Sequence, residues 1–324
     1  MSILVYTENR NGEFRKPALE ALSYAYGVAS MSGGSVTAVA TGDIPEEKLQ
    51  VLGEHGASRV LVVKDPLFGH FDPGAFTSMM AQAVEKSQSK IVVMASTISG
   101  KAIAPRLAVK LKAALVTGVN GLPLSIDPLT VNRRAYSGSA FARVKLNSEI
   151  SIITTLQNSY DIESNPVAMT VEEFVPEVAG LPAAVEVLEE QRMEDGKVPL
   201  TEASVIVAGG RGMKSPDNWQ PLIELAELLE GATACSRPVS DEGWRPHEEH
   251  TGQTGKIVAP DLYVAAGISG ATQHLAGVSG SKYIVAINTD KTAPIFEAAQ
   301  YGVVGDATKV LPKLVEAVRQ VKGK

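Results

Sequence analysis

The stretch Leu262-Tyr-Val-Ala-Ala-Gly267-Ile-Ser-Gly-Ala-Thr-Gln-His274-Leu-Ala-Gly277 joins a short apolar run to a glycine-containing turn. The run 262–266 suits a strand of a parallel sheet that is covered by helices on both faces. The small residues at 269–271 would let a helix N-terminus face a ligand, with N–H groups and the positive dipole end directed at negative charge. We therefore predict a strand–loop–helix unit with His274 about one turn into the helix, although a lone helical histidine is as often structural.

The same alternation of strands and helices runs through most of the chain. The predicted strands are 3–7, 35–40, 59–63, 91–95, 204–208, 262–266 and 283–288. The predicted helices are 17–31, 46–53, 73–86, 101–111, 217–230 and 307–321. This order indicates doubly wound α/β sheets.

The middle of the chain departs from that alternation. Runs 140–146 and 150–155 predict an antiparallel hairpin, and 167–175 predicts a third extended segment. Residues 176–200 contain prolines and a charged run, which favours an interdomain linker.

The length of 324 residues is enough for about two domains. We expect an N-terminal doubly wound α/β domain with an antiparallel portion over 1–190. A C-terminal Rossmann-like doubly wound domain is expected over 191–324. Glycines cluster where the second-half strands end, and ligands of open α/β sheets bind outside the carboxyl ends of strands. The chemistry is therefore expected in the second half.

Charge and cysteine content exclude several classes of protein. The 30 Lys and Arg against 36 Asp and Glu give a net charge of −6, which argues against a nucleic-acid backbone binder. The single cysteine, Cys235, excludes a disulfide framework and an all-cysteine iron–sulfur site, so we interpret it as a small buried residue. His247 and His250 have no third ligand nearby and predict a solvated loop rather than a metal site. The chain has no membrane-length apolar run or targeting pattern, which favours a cytoplasmic location.

Two further segments are candidates for ligand binding. In Ala208-Gly-Gly-Arg-Gly-Met-Lys-Ser215 the glycines permit a tight turn, and Arg211 offers donors to a phosphate. The third glycine of the dinucleotide fingerprint is absent, and a plain turn with a surface arginine stays open. Gly252-Gln-Thr-Gly-Lys256 lacks the phosphate-loop spacing, which leaves a polar loop over 251–254 or an ordinary surface turn.

Taken together, these motifs resemble one family. Residues 260–277, 281–282, 284–288, 293–296 and 301–306 are similar to the signature of the electron transfer flavoprotein α subunit, and 209–212, 236–237 and 252–256 match in order and spacing. The resemblance covers about 205–321. It implies a heterodimer with a β subunit that carries AMP, and one FAD held by the C-terminal domain of this chain.

The resemblance also implies a function. The protein would be an electron carrier, not an enzyme, that takes single electrons from acyl-CoA and other dehydrogenases, as in fatty acid β-oxidation, toward a membrane quinone reductase. The N-terminal domain would be a scaffold for the partner subunit.

The resemblance implies a role for each matched residue. Arg211 would contact the FAD phosphates, and Ser236 and Arg237 the isoalloxazine, with Arg237 over the ring. The ring-edge loop would comprise Thr251, Gly252, Gln253 and Thr254, with the Thr254 hydroxyl near N5. The pyrophosphate loop would comprise Ser269, Gly270, Ala271, Thr272, Gln273 and His274, with His274 near the C2 carbonyl. Asn288, Asp306 and Ala307 would surround the adenosine end.

This sequence departs from the common pattern at a few positions, of which Thr251 is one, because an aliphatic residue is common there. The guanidinium of Arg237 and a donor from His274 would favour the negative charge of a reduced flavin.

Three alternatives stay open at this stage. The first is a flavin- or nicotinamide-dependent dehydrogenase, and the second is a bifurcating complex whose partner binds a second FAD. The third is a nucleotide-binding regulatory module, which would be colourless.

Overall fold

The computed structural model describes residues 1–138, 140–178, 187–189 and 198–323. The chain divides into two compact units: Met1–Ala135 with Ala140–Gln191, and Tyr136–Ser139 with Arg192–Lys324. Most of the predicted linker 176–200, including the 190/191 boundary, lies outside the described residues, so the linker stays a prediction.

The first unit contains twelve strands within its described residues. They are β1 (Ser2–Tyr6), β2 (Asn9–Arg10), β3 (Glu13–Phe14), β4 (Ser35–Thr41), β5 (Arg59–Val63), β6 (Ile91–Ala95), β7 (Ala114–Val119), β8 (Ser125–Ile126), β9 (Leu129–Ala135), β10 (Ala140–Lys145), β11 (Ser151–Thr155) and β12 (Thr170–Glu173). The α-helices described here are α1 (Lys16–Ser32), α2 (Glu46–Glu54), α3 (Pro73–Ser87) and α4 (Ile98–Leu111).

Most of these strands form one sheet, in the order β10-β9-β7-β11-β6-β1-β4-β5-β12, with β8 paired to β9. β1 lies parallel to both β4 and β6, and Ile3 is opposite Val36 and Ile91. Successive side chains of a strand point to opposite faces. Ile3 therefore packs in one core with Leu22 of α1, while Leu4 packs in a second core with Met79 of α3.

The predicted hairpin of 140–146 with 150–155 is wrong. β10 pairs antiparallel with β9, whereas β11 pairs parallel with β6 and β7. All five residues of β11 are buried, which suits a central parallel strand, while β10 alternates between half-buried and exposed residues as an edge strand does. The antiparallel portion is thus confirmed with a different partner strand. The extended run 167–175 is confirmed as β12, which pairs parallel with β5.

The second unit contains five strands within its described residues, and all of their pairings are parallel. They are β13 (Val205–Gly209), β14 (Ala232–Cys235), β15 (Leu262–Ala266), β16 (Tyr283–Asn288) and β17 (Tyr301–Val304). The α-helices described are α5 (Gln220–Leu228), α6 (Arg237–Asp241), α7 (Thr272–Val278), α8 (Ile295–Ala298) and α9 (Ala307–Lys322). The predicted helix 217–230 is therefore shorter, because Pro216–Trp219 forms a 3₁₀ turn before α5.

The strand order β14-β13-β15-β16-β17 decides where a ligand can bind. From β13 the chain passes to β14 on one side, whereas β15 lies on the other side of β13 and leads on to β16, so the loops that follow β13 and β15 diverge. In open α/β sheets this crevice is the usual ligand site. Helices cover both faces of the sheet: Ile206 packs with Ile295 of α8, and Val207 packs with Leu222 of α5.

Cys235 is a free, fully buried thiol whose pKa is raised to about 12 by burial, which confirms that it is a small buried residue. Across the described ranges, no helix combines the length and apolarity that crossing a bilayer requires.

Gly100→Ala is expected to destabilise the first unit. A Cβ at this position in the first turn of α4 would lie 2.0 Å from the Ala95 carbonyl oxygen, so backbone must move. Overpacking of this kind costs about 1–3 kcal/mol, measurable as a lower midpoint of chemical denaturation. Gly121→Ala is the control, because no described neighbour lies within 4 Å of its Cβ position. Equal midpoints for the two variants would contradict the packing of α4 on β6.

Candidate functional site

A cavity of about 590 Å³ lies at the carboxyl ends of β13, β14, β15 and β16. This volume is within the roughly 300–1,000 Å³ of small-molecule and cofactor sites. Its lining residues are Arg211, Gly212, Ser236, Arg237, Pro238, Asp241, His250, Thr251, Gly252, Gln253, Thr254, Gly267, Ile268, Ser269, Gly270, Ala271, Gln273, His274 and Asn288. The fold thus brings together every residue of the predicted site except Thr272, Asp306 and Ala307.

Glycines allow the backbones around this cavity to approach closely. Gly212 N donates to Gly267 O at 3.0 Å, and a Cβ on Gly212 would lie 2.6 Å from the Gly267 Cα. A Cβ on Gly277 would lie 2.4 Å from the Cα of Gly252, so α7 packs directly on the 251–254 loop. The loops after β13 and β15 and the 251–254 loop therefore form one continuous wall.

Two arginines give the cavity its positive charge. Arg237 Nη1 donates to Thr254 Oγ1 at 3.4 Å, and its Nε lies 3.4 Å from an Asp241 carboxylate oxygen. Arg211 Nη1 lies 3.9 Å from Glu242, and the two arginine side chains are 67% and 62% exposed. Exposed ion pairs at these distances contribute little. Both guanidinium groups are thus available to an anionic ligand.

Ser236 and Asn288 hold the loops that carry these groups. Ser236 N donates to Gly209 O at 3.0 Å, which fixes the start of α6 beside the end of β13. Asn288 Nδ2 donates to Ile268 O at 2.9 Å, and its Oδ1 accepts from Asp290 N at 3.0 Å. The Asn288 amide therefore fixes the loop after β15.

A row of buried polar groups lies under the 251–254 loop. Thr251 N donates to Cys235 O at 3.0 Å, and Thr251 Oγ1 lies 3.0 Å from the Tyr263 hydroxyl. The Tyr263 hydroxyl lies 3.1 Å from His274 Nε2. Nδ1 of His274 and Nδ1 of His250 are buried and have no hydrogen-bond partner among the described residues. Such orphaned atoms next to a cavity call for an explanation, and a bound ligand is one.

Burial determines the charge state of the two site histidines. Desolvation lowers the pKa of His274 to about 4, and the nearby Thr251 backbone acts in the opposite direction. The pKa of His250 is also lowered, first by burial and then by the nearby His247 and Arg237. The His274 imidazole is therefore neutral near neutral pH.

The three predicted residues outside the cavity lining have other surroundings. Asp306 caps α9, accepts from Thr308 N at 3.1 Å and lies 2.6 Å from Lys214 Nζ. The Lys214 and Thr308 hydrogen bonds lower its pKa to about 2. Ala307 is buried at the start of α9, and Thr272 is exposed at the start of α7.

Sequence reasoning missed several residues of the site. The prediction of a solvated loop is wrong for His250, which is only 2% exposed and lines the cavity. Its burial comes from pairing of the 250–256 loop with Cys235, for which the sequence carries no pattern. Tyr263 was predicted only as part of a strand, and no sequence pattern singled out Asp241 or Ile268.

A larger cavity of about 750 Å³ in the first unit, near Lys90 and Lys110, holds none of the predicted residues.

Comparison with known proteins identifies the family. The profile of the electron transfer flavoprotein domain matches residues 3–205, and that of the electron transfer flavoprotein FAD-binding domain matches residues 199–279. The chain belongs to the electron transfer flavoprotein α-subunit family. This confirms the resemblance of the glycine-rich motifs, and the family consists of electron carriers rather than enzymes.

Relatives match over nearly the whole chain. The electron transfer flavoprotein subunits alpha of Syntrophomonas wolfei and of Bacillus subtilis are each 37% identical, over 98% of this chain and 98% of theirs. Protein FixB of Clostridium saccharobutylicum is 33% identical over 98% of this chain and 96% of its own length. The α-subunit family assignment therefore applies to both units of this chain.

The buried neutral His274 predicts a pH dependence of stability. Its pKa falls from 6.5 in the unfolded chain to about 4, so the unfolded state binds more protons between these values. Stability is fully present above pH 6.5 and is lost as the pH falls toward 4, by about 3 kcal/mol at 1.4 kcal/mol per pKa unit. In His274→Gln we expect a correspondingly flatter pH dependence of the chemical denaturation midpoint.

The control for this measurement is His70→Gln, since His70 is exposed in the first unit. It should retain the wild-type pH profile. A His274→Gln profile as steep as that of the wild type would contradict the neutral, buried state of His274.

Proposed function

We propose that this chain is the α subunit of a heterodimeric electron transfer flavoprotein and binds one FAD in the cavity of its second unit. The protein carries single electrons from acyl-CoA and other dehydrogenases toward a membrane quinone reductase, and AMP binds in the partner β subunit. The observation that carries the proposal is the convergence of thirteen residues predicted from the family pattern on one cavity at the strand ends.

The residues present fit a flavin dinucleotide. The cavity combines two exposed guanidinium groups for phosphate or reduced-ring charge with a floor of buried polar atoms. Nδ1 of His274 and Nδ1 of His250 lack partners among the described residues, as expected of groups that meet a polar ring. Gly277 and Gly252 are in direct backbone contact, so no side chain separates α7 from the 251–254 loop in the wall beside which a planar ring would lie. Asp306 and Ala307 do not line this cavity, so the adenosine end would have to extend beyond it to reach them.

Each residue of the chain has a task in this proposal. FAD, when bound, supplies the ability to accept and release one electron at a time. Arg211 holds phosphate through its forked donors, as guanidinium groups do. Arg237 brings a permanent positive charge to the ring side of the cavity, held toward Thr254 by their 3.4 Å contact.

The buried floor has a separate task. Thr251 is fully buried and His274 is 8% exposed, so together they keep water from one side of the cavity. In such a low-dielectric site a fixed cation or donor acts more strongly on developing charge than it would in water. The cavity therefore stabilises added negative charge through its guanidinium groups, while the buried His274 stays neutral near neutral pH.

Co-expression with the β subunit tests the proposal directly. One FAD and one AMP per purified heterodimer are expected, with the yellow colour of a flavoprotein. Two FADs per heterodimer would favour the bifurcating alternative instead. A colourless heterodimer would contradict the proposal.

Fractionation of cells would test the predicted cytoplasmic location.

Arg211→Ala is expected to weaken FAD binding roughly 10- to 150-fold, because a hydrogen bond to a charged group contributes about 1.5–3 kcal/mol. The dissociation constant follows from titration of the flavin-free heterodimer. Arg319→Ala is the matched control, since Arg319 is also exposed and ion-paired, with Glu224, outside the cavity. Equal losses of affinity in the two variants would contradict the phosphate role of Arg211.

Arg237→Ala is expected to lower the midpoint potential of the bound flavin, because a cation that favours the reduced, negatively charged form is removed. Arg237→Lys keeps the charge but not the planar fork and should lower the potential less. Spectroelectrochemical titration measures both. An unchanged potential in Arg237→Ala would show that the guanidinium does not act on the ring.

A further inference from the structure

Lys214 follows the turn after β13 and has a strained backbone. Its φ of 69° and ψ of −33° lie close to the classic γ-turn, which is rare and strained. Ser215 N donates to Met213 O at 2.9 Å, which is the hydrogen bond that closes a turn of this kind. Glycine adopts a positive φ without such strain, and the loop after β15 has Gly267 and Gly270 at its positive φ positions. A lysine where glycine would be relaxed points to a task for the lysine side chain.

The turn is fixed on the N-terminal side of Lys214. Lys214 N donates to Arg211 O at 2.9 Å, and Gly212 N donates to Gly267 O at 3.0 Å. Met213 is fully buried and anchors the turn in the core. The Lys214 side chain therefore starts from a rigid base, which also carries Arg211, the proposed phosphate contact.

The ammonium group of Lys214 meets a carboxylate 92 residues later in the chain. Lys214 Nζ donates to Asp306 Oδ2 at 2.6 Å. The other oxygen, Asp306 Oδ1, accepts from Thr308 N at 3.1 Å and from Thr308 Oγ1 at 2.7 Å. The Asp306 side chain is only 19% exposed, and the hydrogen bonds from Lys214 and Thr308 lower its pKa to about 2. Asp306 is therefore a fixed negative charge at the start of α9.

A fixed negative charge at this place would oppose an anionic ligand. Lys214 ties Asp306 to the turn that carries Arg211, and a carboxylate repels a phosphate more strongly near a protein surface than it does in bulk water. The Lys214 ammonium cancels this charge and joins the Arg211 turn to the start of α9.

We infer that Lys214 is a positioning residue for the phosphate-bearing part of the ligand, which acts by neutralising and holding Asp306. This inference rests on the proposed FAD site. Lys214 pays for its strained backbone with ligand binding rather than with stability, because an ion pair whose lysine is 61% exposed adds little to folding.

Two variants separate the ammonium group from the strain. Lys214→Met removes the ammonium and keeps the backbone conformation, whereas Lys214→Gly removes both. We expect each to weaken FAD binding roughly tenfold, as loss of a hydrogen bond to a charged group does. The midpoint of chemical denaturation should stay at the wild-type value in Lys214→Met and be at least as high in Lys214→Gly. A merely structural role would lower the midpoint in both.

The matched control is Lys282→Met. Lys282 pairs with Asp261 at 2.9 Å, and the two residues precede β16 and β15, at the opposite edge of the same sheet from the cavity. This variant removes the same kind of charge from the same unit and should bind FAD as the wild type does.

A double-mutant cycle with Asp306→Asn tests whether Lys214 acts through Asp306. Asparagine also caps helices, so this variant removes the charge and keeps the cap. In the Asp306→Asn background we expect Lys214→Met to cause no further loss of FAD affinity, because no carboxylate is left to neutralise. The readout is the FAD dissociation constant of flavin-free heterodimer for the four proteins of the cycle.

Two results would overturn the inference while leaving the proposed function intact: a wild-type FAD affinity in Lys214→Met, or a loss of equal size with and without Asp306→Asn. The second result would mean that Lys214 contacts the phosphates directly. A wild-type heterodimer that binds no FAD would refute the proposed function and the inference with it.

Discussion

The second unit depends on backbone lying directly against backbone where its strands end. Gly212 meets Gly267, and Gly277 meets Gly252, at separations that leave no space for a Cβ. These loops come from different strands, and their contact joins them into one wall around a cavity of about 590 Å³. Arg211, Ser269 to His274 and the 251–254 loop are carried on that wall, while Ser236, Arg237 and Asn288 line the cavity from the ends of β14 and β16.

That arrangement separates charge from burial. The cations of Arg211 and Arg237 stand at the exposed rim, where they retain hydration and pair only loosely with Glu242 and Asp241. The floor holds neutral groups in a row, with His274 kept uncharged by burial. A carrier that gains and loses an electron benefits from this division, because the floor does not change protonation near neutral pH while the rim stabilises negative charge.

The sequence predicts best the strands whose residues are mostly apolar on both faces. Strands 59–63, 91–95, 262–266 and 283–288 agree with the structure at both ends, because apolar runs of this length have few other uses in a parallel sheet. β14, with the sequence Ala-Thr-Ala-Cys, has no such run, and β17 is exposed along its whole length, so neither was predicted. The wrong hairpin has a similar cause, since local sequence does not tell which strand lies beside β11.

The candidate site, like the fold, could be predicted from the sequence only where its features are local. Residues in glycine-rich loops could be predicted because loop composition and order along the chain are local properties. The hydrogen bond of Tyr263 to His274, the burial of His250 and the separate position of Asp306 all depend on contacts between distant segments. Such contacts leave no spacing in the sequence, and those of Tyr263 with Thr251 and His274 make the cavity floor polar.

The location of the flavin is the most direct test of this account. A crystal structure of the heterodimer purified with its own cofactor is expected to show the flavin in the cavity of the second unit, with the isoalloxazine beside Arg237 and His274. Flavin bound in the β subunit alone, or in the first unit of this chain, would contradict it.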